Sequence, residues 1–209
     1  MQEEYQIAFG VDANYVKYAG VMMTSIVLNQ PGQNICFHLL CDGLHPSDKQ
    51  KLDQFTMLYR NIRLVVYDVR GLLDFLPEQA GATPKRLNKT VFLRIVLADV
   101  LPKELDKVLY MDADMLCIGD IGDLWRTDTN GKALAAAYYD NPQEFVNRIG
   151  SDSAIYFNAG VMVLNLAVWR RDNLSQQVFA TYIKHHKDFI MLEQDTLNYL
   201  LRGNIVELP

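Results

Sequence analysis

The chain has 209 residues, of which 50% are hydrophobic, and a formal net charge of −5 at neutral pH. This length and composition favour a single domain, 1–209, with its own core, since no linker or low-complexity stretch divides the sequence. The acidic balance argues against a nucleic-acid partner, which normally requires a basic face.

Two features of the composition bear on location. The acidic N-terminal residues do not resemble a secretory leader, and three cysteines, an odd number, fit a reducing compartment. Membrane helices need roughly 20 apolar residues, and no apolar run of that length is present. We therefore expect a soluble, cytoplasmic domain without a transmembrane segment.

The first third of the chain alternates between strand and helix patterns. The predicted order is strand 5–11, helix 16–29, strand 34–41, helix 46–59 and strand 62–67. Such βαβαβ alternation implies parallel strands joined by right-handed crossovers. It is typical of the mononucleotide-binding half of a doubly wound fold.

The first predicted strand ends in Asp12, Asn14 and Tyr15. A carboxylate, an amide and an aromatic ring can hold a nucleotide base by hydrogen bonds and stacking. The alternative is that Asn14 only caps the following helix. Neither a Gly-x-Gly-x-x-Gly nor a Gly-Lys-Ser/Thr motif is present, so phosphates would need another anchor.

The segment Leu87 to Leu101 is apolar nearly all round, and we predict a largely buried helix. Arg94 is the cation in its middle. Because a buried guanidinium is costly without an anion, Arg94 either pairs with a structural carboxylate or reaches a ligand.

Asp112 and Asp114 follow an apolar run, 108–111, that predicts a strand buried on both faces. If the chain stays extended there, the two carboxylates point the same way and repel each other unless a cation lies between them. Mn²⁺ or Mg²⁺ would suit carboxylate oxygens and leave positions open for phosphate. The alternative is that both aspartates cap the turn towards Ile118 and Asp120.

The second half predicts a short helix 121–125, strands 133–139 and 157–166, and helices 167–171, 175–188 and 192–201. Asp140 follows the first of these strands. Asn158 and Ala159 open the next one, where small residues allow close backbone approach, although a tight turn would also fit. Glu193 and Gln194 open the last helix, either as part of a polar site or only to complement the helix dipole.

Five blocks together resemble the retaining glycosyltransferases of family eight, the group of glycogenin and bacterial lipopolysaccharide hexosyltransferases. The blocks are VDANY at 11–15, FLR at 92–94, LYMDADML at 109–116, YFNAGVMVLNLAVWR at 156–170 and EQDTLN at 193–198. The resemblance implies an α/β fold of the GT-A type, with a mostly parallel central sheet flanked by helices. It implies transfer of glucose or galactose from a UDP-sugar to a saccharide or glycolipid acceptor, such as lipopolysaccharide.

The resemblance also implies roles for single residues. Asp12, Asn14 and Tyr15 would hold uracil and ribose, and Asp112 and Asp114 would bind Mn²⁺ and through it the diphosphate. Arg94, Asn158 and Glu193 would contact the donor sugar, and Asp140 would face the acceptor. Glu193 and Gln194 are the expected catalytic residues, with Gln194 beside the anomeric carbon. The remaining members of the donor site would be Gly10, Val11, Ala113 and Ala159.

The chain departs from the family pattern at two points. Glu193 stands where the family often has aspartate. The family's third metal ligand is a histidine in a later His-x-x-Gly-x-x-Lys-Pro-Trp motif, which does not occur before Pro209. In the family the same segment supplies much of the acceptor site and any basic tail for peripheral membrane association.

Two other functions remain open from the sequence. One is a non-catalytic UDP-sugar-binding domain. The other is a phosphatase of the haloacid-dehalogenase kind, which also ends a buried strand in Asp-x-Asp. That class is less favoured, because it normally carries the motif on its first strand.

Overall fold

The computed structural model describes residues 3–78 and 88–208. Within those ranges the strands are β1 Glu4–Asp12, β2 Asn34–Asp42, β3 Ile62–Asp68, β4 Lys107–Met111, β5 Leu134–Tyr138, β6 Phe157–Asn165 and β7 Ile205–Glu207. The helices are α1 Val16–Asn29, α2 Pro46–Leu58, α3 Leu97–Val100, α4 Gly122–Arg126, α5 Gln143–Arg148, α6 Leu166–Arg171, α7 Leu174–His185 and α8 Glu193–Leu200. A 3₁₀ helix, Lys89–Arg94, precedes α3.

The strands form one sheet in the order β3-β2-β1-β4-β6-β5-β7. The first four strands of that order are parallel, and β7 runs parallel to β5. Strand β6 is antiparallel to both of its neighbours. The predicted α/β fold with a mostly parallel central sheet flanked by helices is therefore confirmed.

Helices cover both faces of the sheet. One core cluster joins the sheet to the 3₁₀ helix, α3, α6, α7 and α8, and the other joins it to α1, α2 and α4. Helix α1 shows how the sequence directs this packing: its buried residues include Val16, Ala19, Met23 and Ile26, which share one face at a spacing of three to four residues. Both faces of the sheet are thus covered by packed helices.

The prediction of one helix over Leu87 to Leu101 is wrong. Leu87 lies outside the described residues, and the described part divides into the 3₁₀ helix and the single turn of α3. Two causes act together. β-branched residues such as Val91 and Ile95 lose side-chain freedom in an α-helix, and the guanidinium Nε of Arg94 donates to the carbonyl of Val91.

Helix α5 and strand β7 were not predicted. Helix α5 contributes Val146 to a small third core cluster that contains Tyr156 and Phe189, so this short helix packs against the start of β6. No helix in the described ranges is long and apolar enough to cross a bilayer.

Strand order reverses between β1 and β4, since the chain runs from β1 outward to β2 and β3 before it returns to the other side of β1. In open α/β sheets, ligands bind at such a switch point, at the carboxyl ends of the strands. Because β6 is antiparallel, its amino end reaches the same edge, where the N–H of Asp112 donates to the carbonyl of Gly160 (2.8 Å).

Candidate functional site

A cavity of about 430 Å³ lies at this switch point. Eleven of the fourteen residues expected at the site line it: Gly10, Val11, Asp12, Tyr15, Arg94, Asp112, Ala113, Asp114, Asn158, Glu193 and Gln194. Asn14, Ala159 and Asp140 do not line it. Residues from separate blocks of the sequence therefore meet around one space.

The end of β1 forms one wall of the cavity. Asp12 Oδ1 accepts hydrogen bonds from the backbone N–H groups of Asn14 (2.8 Å) and Tyr15 (3.1 Å). The alternative that Asn14 caps α1 is wrong: the N-cap position is Tyr15, and the Asn14 side chain makes no capping bond. Asn14 is exposed outside the cavity, whereas Tyr15 is partly exposed at its edge.

Asp112 is held firmly through one of its two oxygens. Oδ1 accepts from Arg94 Nη2 (2.8 Å) and from the Tyr110 hydroxyl (3.0 Å). Oδ2 lies beside Gly160, where an added Cβ would approach it to 2.8 Å. The turn-capping alternative does not describe Asp112, because its Oδ1 accepts from the side chains of Arg94 and Tyr110 and not from a backbone N–H of the following turn.

Asp112 Oδ2 and the exposed carboxylate of Asp114 are the oxygens that could receive a divalent cation. Within residues 3–78 and 88–208, neither makes a protein hydrogen bond, and no group of three or more His, Cys, Asp or Glu side chains is placed to hold a metal ion by itself. Mg²⁺ and Mn²⁺ are commonly bound by one or two carboxylates plus substrate phosphates. The donor set therefore fits a hard cation that shares its coordination with a phosphate-bearing ligand.

Arg94 joins two elements of the site. It is 6% exposed, its Nη1 donates to the carbonyl of Ala159 (2.5 Å), and its Nε lies 3.4 Å from Glu193 Oε1. Burial opposes its positive charge, but the carboxylates of Asp112 and Glu193 raise the pKa of Arg94 above its usual value. The first sequence alternative is confirmed, because Arg94 pairs with carboxylates. Contact with a ligand stays a prediction, although Arg94 lines the cavity.

Glu193 is almost completely buried, and its Oε2 has no hydrogen-bond partner among the described residues. Burial raises the pKa of Glu193 from 4.5 to about 7, Arg94 opposes that rise, and Asp112 adds to it. An unsatisfied buried oxygen is costly in a closed core. At the wall of a cavity, the same oxygen can accept a hydrogen bond from a ligand hydroxyl.

Gln194 is fixed at both ends of its amide. Oε1 accepts from the N–H of Ala159 (3.1 Å), and Nε2 donates to the Tyr156 hydroxyl (3.2 Å). The preceding Leu192 is buried with φ 50° and ψ −117°, a conformation that is costly for a residue with a Cβ. This backbone turn directs Glu193 and Gln194 to the cavity at the start of α8.

The start of β6 supplies Asn158 and Ala159 within an extended strand, so the tight-turn alternative is wrong. The Asn158 amide donates to the Tyr139 hydroxyl (3.2 Å), and its Oδ1 accepts from the N–H of Gly160 (2.7 Å). Ala159 is fully buried behind the wall and acts through its backbone. Asp140 is exposed immediately after Tyr139, which does line the cavity.

Sequence reasoning missed six residues of the lining: Asn88, Thr90, Val91, Tyr110, Tyr139 and Met191. Tyr110 could have been found, because strand alternation places it on the same face as Asp112. The Asn88 side chain accepts from the N–H of Thr90 and so begins the 3₁₀ helix. That role depends on a helix boundary which hydrophobic periodicity did not indicate.

The chain matches one family over nearly its whole length. A model described as Glycosyl transferase family 8 covers residues 6–209. The lipopolysaccharide 1,2-glucosyltransferase of Escherichia coli K12 is 30% identical over 97% of this chain and 60% of its own length. The lipopolysaccharide 1,3-galactosyltransferase of Salmonella typhimurium is 28% identical over 95% of this chain and 60% of its own length. The chain thus spans about 60% of the length of these curated relatives.

A solved structure shares the fold. The galactosyltransferase LgtC, crystallised with donor and acceptor sugar analogues, matches with a TM-score of 0.80 and 27% identity over 98% of this chain and 73% of that one. The GT-A type of fold implied by the sequence resemblance is confirmed by this similarity.

Proposed function

Because this chain belongs to glycosyltransferase family 8, we propose that it moves a hexose from a UDP-sugar to a saccharide acceptor with retention at the anomeric carbon. The observation that carries this proposal is the single cavity in which eleven expected donor-site residues meet at the switch point of the sheet. Residues 1–209 would act as one domain around it. Glucose or galactose is the proposed hexose, and lipopolysaccharide or another cell-surface glycan is the proposed acceptor.

The nucleotide would lie against the end of β1. Tyr15 offers an aromatic face to uracil, and Asp12 offers an acceptor to the base or ribose while its Oδ1 holds the turn. The diphosphate would reach Asp112 and Asp114. Mn²⁺ or Mg²⁺ bound there would neutralise the negative charge that develops on the departing UDP.

The donor sugar would occupy the part of the cavity near Arg94, Asn158 and Glu193. Glu193 Oε2 is buried and unpartnered within the described residues, so a sugar hydroxyl is the partner that would satisfy it. Glu193 is one methylene longer than the aspartate that the family often carries. The hydroxyl that it meets would therefore lie farther from the backbone of α8.

Retention requires either two displacements or attack of the acceptor from the face that the phosphate leaves. A neutral amide is a poor nucleophile, so Gln194 favours the second course. The acceptor oxygen bonds to the anomeric carbon, the bond to the phosphate oxygen breaks, and the acceptor proton passes to that departing oxygen. Gln194 would orient the oxocarbenium-like centre, and Asp140, exposed beside Tyr139, would face the incoming acceptor.

A non-catalytic UDP-sugar-binding domain is the second candidate, because the described residues contain no group of three or more His, Cys, Asp or Glu side chains that could hold a cation. A phosphatase of the haloacid-dehalogenase kind is disfavoured. Its aspartate motif would follow the first strand, whereas Asp112 follows β4 and is tied to Arg94 and Tyr110.

We further propose a cytoplasmic location without a nucleic-acid partner. The three cysteines, Cys36, Cys41 and Cys117, are free and buried, as suits a reducing compartment. The net charge of −5 disfavours a polyanionic partner.

Calorimetric titration of UDP with Mn²⁺, and again with EDTA, tests the donor site. We expect metal-dependent binding that Asp112→Asn and Asp114→Asn each abolish, because each substitution removes a carboxylate from the cation. Asp123→Asn is the matched control, since its side chain is fully exposed on α4. Absence of UDP binding by a folded sample would contradict the proposal, and binding without release of UDP from UDP-hexoses would favour the non-catalytic alternative.

A further inference from the structure

We propose that Tyr156 is a positioning residue that fixes the orientation of the Gln194 amide, and that Asp195 and Arg148 hold Tyr156 in place. The catalytic consequence rests on the proposed function. The hydrogen-bond arrangement itself does not, and it can be tested without any substrate.

The directions of the hydrogen bonds follow from the donors available. The Tyr156 hydroxyl donates to Asp195 Oδ1 (2.5 Å), which uses its single hydrogen. Towards Gln194 the phenol oxygen can therefore only accept, and the group it meets at 3.2 Å is the amide Nε2. The opposite end of the amide, Oε1, accepts from the N–H of Ala159 (3.1 Å). A flipped amide would turn its carbonyl towards the phenol oxygen and its NH₂ towards a backbone donor, losing both bonds.

Asp195 determines which way the Tyr156 hydroxyl points. Its carboxylate is completely buried and accepts from three groups: Tyr156, Arg148 Nη2 (2.6 Å) and the N–H of Met191 (2.8 Å). A carboxylate so placed accepts hydrogen bonds and donates none, so the phenol hydrogen must turn to it. The charge is balanced by Arg148, whose guanidinium lies 5.2 Å from the ring centre of Phe145.

The chain of contacts reaches beyond the cavity. Neither Arg148 nor Tyr156 lines the cavity; Tyr156 belongs to the small core cluster around α5 and the start of β6, and Arg148 is the last residue of α5. A substitution there can change the orientation of Gln194 without touching the donor. Helix α5 therefore influences Gln194 through Arg148, although α5 does not line the cavity.

The first test follows the Gln194 side-chain amide by ¹⁵N NMR of the whole chain, with its signals assigned by their absence in Gln194→Ala. We expect Tyr156→Phe to shift these signals and to speed exchange of their hydrogens with water. Tyr67→Phe is the matched control, because it removes a hydroxyl that bonds His38 (3.0 Å) away from the cavity. Gln194 signals that are unchanged in Tyr156→Phe would overturn the proposal.

The second test separates turnover from binding, with UDP release from UDP-hexose as the readout. We expect Tyr156→Phe to lower kcat about tenfold or more with KM changed by less than about twofold, since orientation and not donor contact is lost. Arg148→Met should reproduce the loss, and Arg148→Lys should restore part of it by keeping the charge beside Asp195.

The outcomes of the two tests remain distinguishable. An increase in KM that matches the loss in kcat, or an equal loss in Tyr67→Phe, would overturn the positioning role. If the wild-type chain releases no UDP, the proposed function fails, while the NMR comparison still decides whether Tyr156 fixes Gln194. Melting curves of each variant would show that the chain remains folded.

Discussion

At the scale of single residues, Glu193 shares one buried cation with a second carboxylate. The carboxylate of Glu193 lies beside the guanidinium of Arg94, which also forms an ion pair with Asp112. Glu193 Oε2 has no hydrogen-bond partner among the described residues. One buried cation therefore faces two carboxylates. Burial, to which the charge of Asp112 adds, raises the pKa of Glu193 to about 7, so its protonated and ionised forms are both populated near neutral pH.

This arrangement predicts a pH dependence of stability. The pKa of Glu193 is about 7 in the folded chain against 4.5 for the ordinary side chain, so the folded state holds the proton more tightly. Its contribution to stability should be complete below about pH 4.5 and be lost as pH rises to about 7, a loss on the order of 3 kcal/mol. Glu193→Gln cannot ionise, so in EDTA its free energy of unfolding relative to the wild type should rise across that range.

Urea unfolding at intervals between pH 4.5 and 8 would measure this difference. Glu104→Gln is a suitable control, because Glu104 is exposed in the loop before β4. Its stability should run parallel to the wild type. A Glu193→Gln curve that also ran parallel would show that Glu193 is ionised at no energetic cost.

At the scale of elements, the cavity wall at the end of β1 depends on how closely β1 packs against the 3₁₀ helix. A Cβ added at Gly10 would lie 2.6 Å from Leu93 Cβ and 3.7 Å from its backbone. Gly10→Ala should therefore push the helix that carries Arg94, and we expect a loss of about 1–3 kcal/mol in the free energy of unfolding. Urea unfolding monitored by circular dichroism would measure it.

Gly20→Ala provides the matched comparison on α1. A Cβ there meets nothing within 4 Å, so the substitution should raise stability by about 0.5–1 kcal/mol through better helix propensity. The two alanines should thus act in opposite directions. Equal effects would mean that β1 and the 3₁₀ helix can separate freely.

Some helices and strands were predictable from the sequence pattern and others were not. Helix α1 and strands β1, β2 and β4 were predictable because their apolar residues repeat at the spacing of a helix or form buried runs. The end of the 3₁₀ helix before Ile95 was not predictable, because a segment that is apolar on all sides has no periodicity that distinguishes an α-helix from a 3₁₀ helix. Helix α5 has six residues, of which Val146 is buried. One buried residue is too few to give a detectable hydrophobic periodicity.

The residues of the candidate site were likewise predictable in part. Residues directly at strand ends, such as Asp12 and Asp112, were placed in the cavity because the sheet brings those ends together. Asn14 and Asp140 do not line the cavity, because each lies beyond the end of its strand and is exposed at the surface. Local sequence does not set the direction in which such loops leave a sheet.

At the scale of the molecule, a donor that bridges β1, β4 and α8 should stabilise the whole fold. If UDP and Mn²⁺ are present at about 100 times the dissociation constant, the expected gain is about 2.7 kcal/mol. For a chain of this size, that corresponds to a rise in melting temperature of roughly 5–10 °C. Differential scanning calorimetry would measure the rise, and Asp112→Asn should abolish it.

A rise that survives in Asp112→Asn would place the ligand elsewhere on the molecule. The control for non-specific stabilisation is Asp123→Asn, which should melt with UDP and Mn²⁺ as the wild type does.

The pairing of β1 with β4 also has a consequence for the order of synthesis. Ile7 lies opposite Leu109, so this neighbouring pair closes a loop of about 100 residues, which makes the pairing a slow, non-local event. The end of β1 leaves the ribosome first, the carboxylates of Asp112 and Asp114 follow much later, and Glu193 and Gln194 are the last of these cavity residues to emerge. The cavity at the switch point therefore cannot be complete in a nascent chain until the residues up to Gln194 have been translated.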